Sequence, residues 1–446
     1  MKTKITLLLI AGLILTSCTK WHYGHGEDND DPKDETIYND TYVSEGGEAN
    51  DGAKIIPSRN KLIVRLDPNL SQEKLKYWLK YLEIQDTIGC SCGDVTIKQW
   101  TVDTSKIDIE AARRRLQDDS SGEAGLEGEI GFDIQLDPIP DFRQLDEQVD
   151  PKEFTNPSET ASVNIAVLDT GIDLSRDLTP FSGQYLFNSL AYSNCYPTSS
   201  GWNFVNNSPN ITDGQGHGTY VTKIIRDILD NSVPQIDYRI LPLKVFDDNG
   251  RGSYWNIVCA MAYIKNINKN DGNIHIINTS FGGKQTQEIL QKQTVLKRLI
   301  NELSDKSLVI SSAGNKGENT DDSLDGHFLS SYDSENILAV GGYFNDTIAK
   351  KIILHPKSNY GVKSIDVALE FGNYSVVLNT LDPNSKDRAG LEGTSYSTAA
   401  MTGLAGELFI KASRPDVTVL KEGILNLAKS ESGLNSSILD ANAIIR

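Results

Sequence analysis

The run Val163-Asn164-Ile165-Ala166-Val167-Leu168-Asp169-Thr170-Gly171-Ile172-Asp173 decides how this chain folds. Its first six residues are almost wholly apolar and stop at a carboxylate followed by a turn glycine. A strand apolar on both faces has no solvent side, so it belongs inside a parallel sheet with helices over both surfaces. The same grammar repeats downstream. Apolar strand runs at 240–245, 274–278, 308–312 and 336–340 alternate with helical stretches at 222–229, 257–267 and 295–303. This alternation predicts an α/β domain with a mostly parallel sheet. Such sheets bind ligands beyond the carboxyl ends of their strands, and Asp169 stands at one of those ends.

Two further stretches carry reactive groups. Asp213-Gly214-Gln215-Gly216-His217-Gly218-Thr219 sets one of the chain's 6 histidines in a glycine-rich turn that opens a helix. Gly393-Thr394-Ser395-Tyr396-Ser397-Thr398-Ala399-Ala400 presents a serine between small residues. A serine hydroxyl is a poor nucleophile until a neighbouring base takes its proton. Small residues before it let the backbone turn and a substrate approach. The small residues after it, through Gly406, suit a buried helix whose N-terminus favours developing negative charge. Taken singly, each stretch has a plain structural explanation: a turn aspartate, a helix-capping histidine, a loop serine.

Together, and in that order, Asp169-Thr170-Gly171-Ile172, Gly216-His217-Gly218-Thr219 and Gly393-Thr394-Ser395 resemble the signatures of the subtilisin-like serine proteases. The similarity runs from about Asn164 to Gly406. It takes in Leu243-Lys244-Val245, the segment from Asp248 to Ser253, Ile277 to Gly283, Ser311 to Asn315, and Ser358-Asn359-Tyr360-Gly361. The resemblance implies a peptidase domain over 161–446 with Asp169, His217 and Ser395 as a catalytic triad. It implies that Asn315 donates to the oxyanion together with the Ser395 amide. Ser280, Phe281 and Gly282, with Gly250, Gly252 and Ser253 and with Ala313 and Gly314, would line an extended peptide substrate. No cofactor is required by that chemistry, and structural calcium is left open. The chain departs from the family pattern at Tyr220 to Lys223 and at Ala399, where the family usually has proline; neither place supplies a reactive group. The reading from another class is a catalytically silent surface protein that binds a peptide or partner. Intact Asp169, His217, Ser395 and Asn315 argue against it.

Upstream, Lys2 and Lys4 precede an apolar run from Ile5 to Leu15, too short to span a membrane comfortably. It ends in Leu15-Thr16-Ser17-Cys18, which resembles a bacterial lipobox and implies a signal peptide over 1–17 with Cys18 as the lipidated residue. The chain is then an exported cell-envelope lipoprotein, on the outer membrane or the cell surface. An acidic tether follows over 18–57, centred on Glu27 to Glu35. His22 and His25 near Asp28 read as solvated linker residues, since no rigid frame would hold a metal.

Residues 58–137 change character. A strand at 62–66, a helix capped by Ser71, a strand at 95–102, a helix at 109–116 and a strand at 130–136 suggest a small α+β, ferredoxin-like domain. Beside the resemblance, this domain is similar to the family's propeptide, an intramolecular inhibitor and folding assistant. The proline-bearing acidic linker over 138–160 suits self-cleavage between Leu136 and Thr160. A prodomain held only by non-covalent contacts would then keep the lipid while the enzyme is shed.

The 446 residues carry a net charge of −18, which argues against nucleic-acid binding. Of the 5 cysteines, Cys90 and Cys92 are too close to bridge each other without strain. Cys195 and Cys259 either pair in an oxidising compartment or remain buried thiols.

Overall fold

The computed structural model describes residues 54–123, 126–139, 142, 151–155, 163–176, 184–198, 200–322, 324–346, 351–377, 388–430 and 437–438. The signal segment, Cys18, the acidic tether and His22 and His25 lie outside the described residues.

The first layer contains β1 (Lys54–Arg65), α1 (Gln72–Tyr81), β2 (Ile84–Gly89), β3 (Ile97–Val102), α2 (Ile109–Glu123) and β4 (Glu127–Gln135). Ser71 caps α1 by accepting the Lys74 amide at 3.2 Å. The strands order as β2-β3-β1-β4 and pair antiparallel throughout. Strand β2 carries no apolar alternation because it is an edge strand with exposed side chains, and so periodicity does not reveal it. One face of the sheet packs Leu62, Val64 and Trp100 with Trp78 of α1 and Leu116 of α2.

The larger part follows in two series. First come β5 (Val163–Asp169), β6 (Trp202–Asn203), α3 (His217–Asp230), β7 (Tyr238–Lys244), β8 (Arg251–Ser253), α4 (Tyr254–Lys269) and β9 (Ile276–Thr279). Then come β10 (Lys284–Thr286), α5 (Gln287–Lys292), α6 (Thr294–Asn301), β11 (Leu308–Ser312), β12 (Asp325–His327) and β13 (Ile337–Asp346). The chain closes with β14 (Lys351–Leu354), β15 (Val367–Glu370), β16 (Tyr374–Val377), β17 (Arg388–Leu391), α7 (Thr394–Lys411), α8 (Val417–Leu427), β18 (Lys429–Ser430) and β19 (Ser437–Ile438).

The central strands order as β15-β13-β11-β9-β5-β7-β6, all parallel. Every residue of β5 is buried, as its composition demands. Ala166 and Leu168 face the core under α4 and α6, while Ile165 and Val167 face the core under α3, α7 and α8. Sequence order reverses between β5 and β9, so the carboxyl ends of these two strands diverge at a switch point. Asp169 closes β5 there, and Ser280 follows β9.

The two parts share one body. The second face of the small sheet, through Ile55, Ile63, Phe132 and Ile134, joins the core of α4 and α6. Strand β4 pairs antiparallel with β8, Ile134 opposite Gly252 and Gln135 opposite Arg251. The cysteines do not follow the expectation for Cys195 and Cys259. These neither pair with each other nor stay as thiols; the bridges are Cys90–Cys259 and Cys92–Cys195. Spacing in sequence was uninformative because both partners lie more than 100 residues away across the interface.

A buried carboxyl sits in that interface. Glu129 of β4 accepts a hydrogen bond from the Tyr254 hydroxyl and, at 3.1 Å, from the Val295 amide at the start of α6. Burial pushes its carboxyl up to about 8, against the pull of these donors and with Glu127 adding repulsion. A carboxyl raised in the folded state contributes most at low pH. Its benefit is lost as pH rises from the ordinary carboxylate range, about 4.3, toward about 8. Glu129→Gln mimics the protonated side chain, so its melting temperature should exceed that of wild type at pH 8 and match it near pH 4. The gain should be on the order of a few kcal/mol; equal pH profiles by calorimetry would contradict this.

Candidate active site

The site begins with a steric permission. A Cβ at Gly218 would lie 2.3 Å from the Gly171 carbonyl oxygen and 3.0 Å from Asp169 Cβ. Only glycine lets the first turn of α3 press onto the turn after β5. That approach delivers His217 to Asp169, with Nδ1 at 2.8 Å from Oδ1 and 3.0 Å from Oδ2. Thr170 fastens the contact from both directions. Its amide donates to Asp169 Oδ1 at 2.8 Å, and its hydroxyl accepts the Gly218 amide at 2.8 Å.

Asp213 organises the turn before the helix. Its buried carboxylate accepts the amides of Gln215, Gly216 and Thr219 and the Thr219 hydroxyl. Gly216 takes φ +101, a left-handed conformation that favours glycine. Burial opposes a proton on His217, but the Asp169 carboxylate outweighs it, with Asp213 and Asp137 adding to the attraction. The imidazole pKa is therefore raised above 6.5.

Ser395 is the second residue of α7, a helix buried along most of its length. Its Oγ donates to the Ser280 carbonyl at 2.7 Å, and the Ser280 hydroxyl donates back to the Ser395 carbonyl at 2.8 Å. The hydroxyl proton is thus held at the end of β9 instead of at the imidazole. The ring of the next residue, Tyr396, lies 5.7 Å from that of His217, so α7 begins beside the histidine.

Asn315, in the loop after β11, has its amide orientation fixed. Its Oδ1 accepts the Thr394 amide at 2.9 Å and the Thr394 hydroxyl at 2.8 Å. The Nδ2 end lies beside Gly393, where a Cβ would come within 3.2 Å of it. Two donors therefore converge at the start of α7: the Asn315 amide and the Ser395 N–H, whose helix end carries partial positive charge. The arrangement can stabilise an oxygen that gains charge.

The residues expected to line a substrate divide. Ser280 is engaged with Ser395 in both directions. Phe281 does not face the site; it is core, edge-on to Phe246 at 4.9 Å between centroids. Ser253 caps α4 through the Asn256 amide at 3.2 Å. The backbones of Gly252 and Ser253 pair with β4, and the Gly250 carbonyl accepts the Leu136 amide at 2.8 Å. Ala313 is buried, with its carbonyl bonded to Asn359 Nδ2 at 2.9 Å. Gly282 and Gly314 both face the imidazole of His327, which a Cβ on either would meet at 2.1 and 2.6 Å. Sequence reasoning did not single out His327, Thr394, Thr170 or Asp213. The last three sit within the quoted motifs, but hydrogen-bond geometry leaves no mark in residue type.

Beyond β4 the chain continues past the site. Asp137 offers its carbonyl to Gln215 Nε2 at 2.8 Å, and Phe142 packs edge-on to Tyr220 at 5.6 Å and against Gly216.

A model described as the Subtilase family matches residues 160–438. Subtilisin DY of Bacillus licheniformis is 26% identical over 256 residues, covering 56% of this chain and 78% of that protein. Thermitase of Thermoactinomyces vulgaris is 25% identical over 291 residues, 62% of this chain and 84% of that one. The cell wall-associated protease of Bacillus subtilis (strain 168) is 29% identical over 251 residues, 55% of this chain but 23% of that much longer protein. Among solved structures, a lanthipeptide protease aligns at 22% identity and TM-score 0.47, over 65% of this chain and 88% of its own.

The raised imidazole pKa sets a pH limit. Any step that needs neutral His217 as a base fails as pH falls through a value above 6.5. The acid limb of kcat/KM should have its midpoint above 6.5. An NMR titration of His217 should give the same value, and it should drop in Asp169→Asn.

Proposed function

The chain belongs to the subtilase family, which makes it a serine endopeptidase acting on protein or peptide substrates, and from that premise we propose that Asp169, His217 and Ser395 are its catalytic triad. The observation that carries the assignment is the buried Asp169–His217 hydrogen bond set beside the start of α7. When substrate enters, the Ser395 hydroxyl leaves the Ser280 carbonyl and gives its proton to His217 Nε2. Oγ then attacks the scissile carbonyl. Asp169 fixes the tautomer and stabilises the imidazolium. The oxyanion is met by Asn315 Nδ2 and the Ser395 amide. His217 next protonates the leaving amine, and water hydrolyses the acyl-enzyme by the same path in reverse.

We read residues 58–137 as the prodomain of this enzyme, with β1 beginning just before them at Lys54. Support comes from the pairing of β4 with β8 and from the course of Leu136, Asp137 and Phe142 across Gly250, Gln215 and Gly216. A strand lying on β8 occupies the edge that a substrate backbone would use. Self-cleavage falls between Leu136 and Thr160. Cys18 carries a lipid that places the protein in the cell envelope.

Ser395→Ala should abolish cleavage of a casein substrate and labelling by a fluorophosphonate probe while leaving the circular dichroism spectrum intact. Asn315→Ala should lower kcat roughly 100- to 1000-fold with KM little changed, because its bond forms chiefly in the transition state. Wild-type rates in Ser395→Ala would remove the nucleophile.

The anchor is tested separately. Cys18→Ser should move the protein out of the membrane fraction or leave its signal segment uncut. Unchanged fractionation would make Cys18 incidental.

A further inference from the structure

A prodomain that is cut and held by non-covalent contacts dissociates once its affinity is overcome. This one is joined to the peptidase by chemical bonds. Cys90 and Cys92, at the start of the β2–β3 connection, reach two separate segments. One is α4 through Cys259, and the other is the loop after the short helical turn Ser189–Ala191 through Cys195. A single bridge would leave the small domain free to swivel; two bridges to different segments do not. The loop is also pressed onto α4, where a Cβ at Gly93 would lie 2.5 Å from the Ala262 carbonyl oxygen. Next to it, Asp94 and Arg65 of the small domain form an ion cluster with Lys265 and Glu302 of the peptidase.

Resting on the prodomain reading above, we propose that the N-terminal domain is a disulfide-locked subunit of the protease. After the linker is cut it stays attached through Cys90–Cys259 and Cys92–Cys195 with β4 still on β8, and a dithiol, not dissociation, unlocks the enzyme. A tethered inhibitor faces its site at an effective concentration on the order of millimolar. A substrate strand at lower concentration competes poorly for the β8 edge. Cutting the linker alone therefore frees the tail without freeing the edge.

The unlocking step balances as ordinary thiol–disulfide exchange. A thiolate of the dithiol attacks one bridge sulfur and expels the other as a protein thiolate. Its second thiol then closes a ring on the mixed disulfide. Each bridge gains two electrons and two protons and yields two cysteine thiols, while one dithiol becomes a cyclic disulfide. Cys195 is exposed, whereas Cys92 and Cys259 are buried, so attack starts at the Cys92–Cys195 bridge. Among the described residues all four cysteines are consumed by these two bonds. A reductant consequently alters the interface and leaves the peptidase interior untouched.

The test uses the full chain secreted into an oxidising compartment, with dithiothreitol as the dithiol. Without reductant, wild type should run as one species on a denaturing gel. With reductant it should separate into two chains whose N-terminal sequences place the cut after Leu136. Dithiothreitol should raise peptidase activity at least tenfold. The variant Cys90→Ser/Cys92→Ser should be active without it and indifferent to it. Fluorophosphonate labelling after reduction reports Ser395 apart from the tether, so a failed triad and a failed lock are distinguishable. The proposal is overturned if the fragments separate without reductant, if the linker is never cut, or if dithiothreitol leaves wild-type activity unchanged. The wild-type arm decides by itself should the variant misfold.

Discussion

The approach of Gly218 to the Gly171 carbonyl is the constraint on which the site depends. A methyl group there would overlap backbone, and backbone cannot swing aside as a side-chain tip can. Without that contact, α3 would stand off from β5, and Asp169 would keep a buried charge with no imidazole to share it. An uncompensated buried carboxylate is strongly destabilising. The fold and the Asp169–His217 pair are therefore one requirement. The Thr170 bonds and the four donors on Asp213 hold the helix end in the place that the glycine opens.

The serine side is built by a different economy of bonds. Helix α7 is lined with small residues and buried among the central strands, so its N-terminus, with its partial positive charge, opens into the site. Thr394 consumes the acceptor of Asn315, leaving only the donor end free at the start of α7. Asn278 ties β9 to the same helix, bonding the Ser280 hydroxyl through Nδ2 at 3.0 Å and accepting from Thr402 at 2.9 Å. The reactive groups thus ride on packed elements whose positions are set by the core, with little left to loop flexibility.

Much of this was legible because it is written in residue type. The apolar run at 163–168 required a covered parallel sheet, and the glycine-rich turn around His217 marked the opening of a helix. The secondary structure of the small N-terminal domain was legible through the period of its helices and of β3. What escaped was relational. An edge strand such as β2 has no buried face to impose a pattern. Phe281, within a motif, turned inward because Phe246 offered an aromatic partner, and sequence does not say which face a loop residue takes. The cysteine pairing depended on two chain segments meeting across an interface, and spacing carries no information about that.

That interface balances opposed terms, and their sizes explain why covalent bonds belong there. Holding Glu129 neutral at pH 7 costs about 3 to 4 kcal/mol relative to an exposed carboxyl, from the distance between its raised value and its ordinary one. Burial of Ile55, Ile63, Phe132 and Ile134 against α4 and α6 contributes about 1.5 to 3 kcal/mol for each side chain, which more than offsets it. Both terms act with or without the bridges, so the bridges are not part of that balance. Their effect lies in what happens when the domains part. A non-covalent pair that separates is diluted and lost, whereas a bridged pair stays at high local concentration and re-forms. The disulfides convert a reversible contact into one that dilution cannot break.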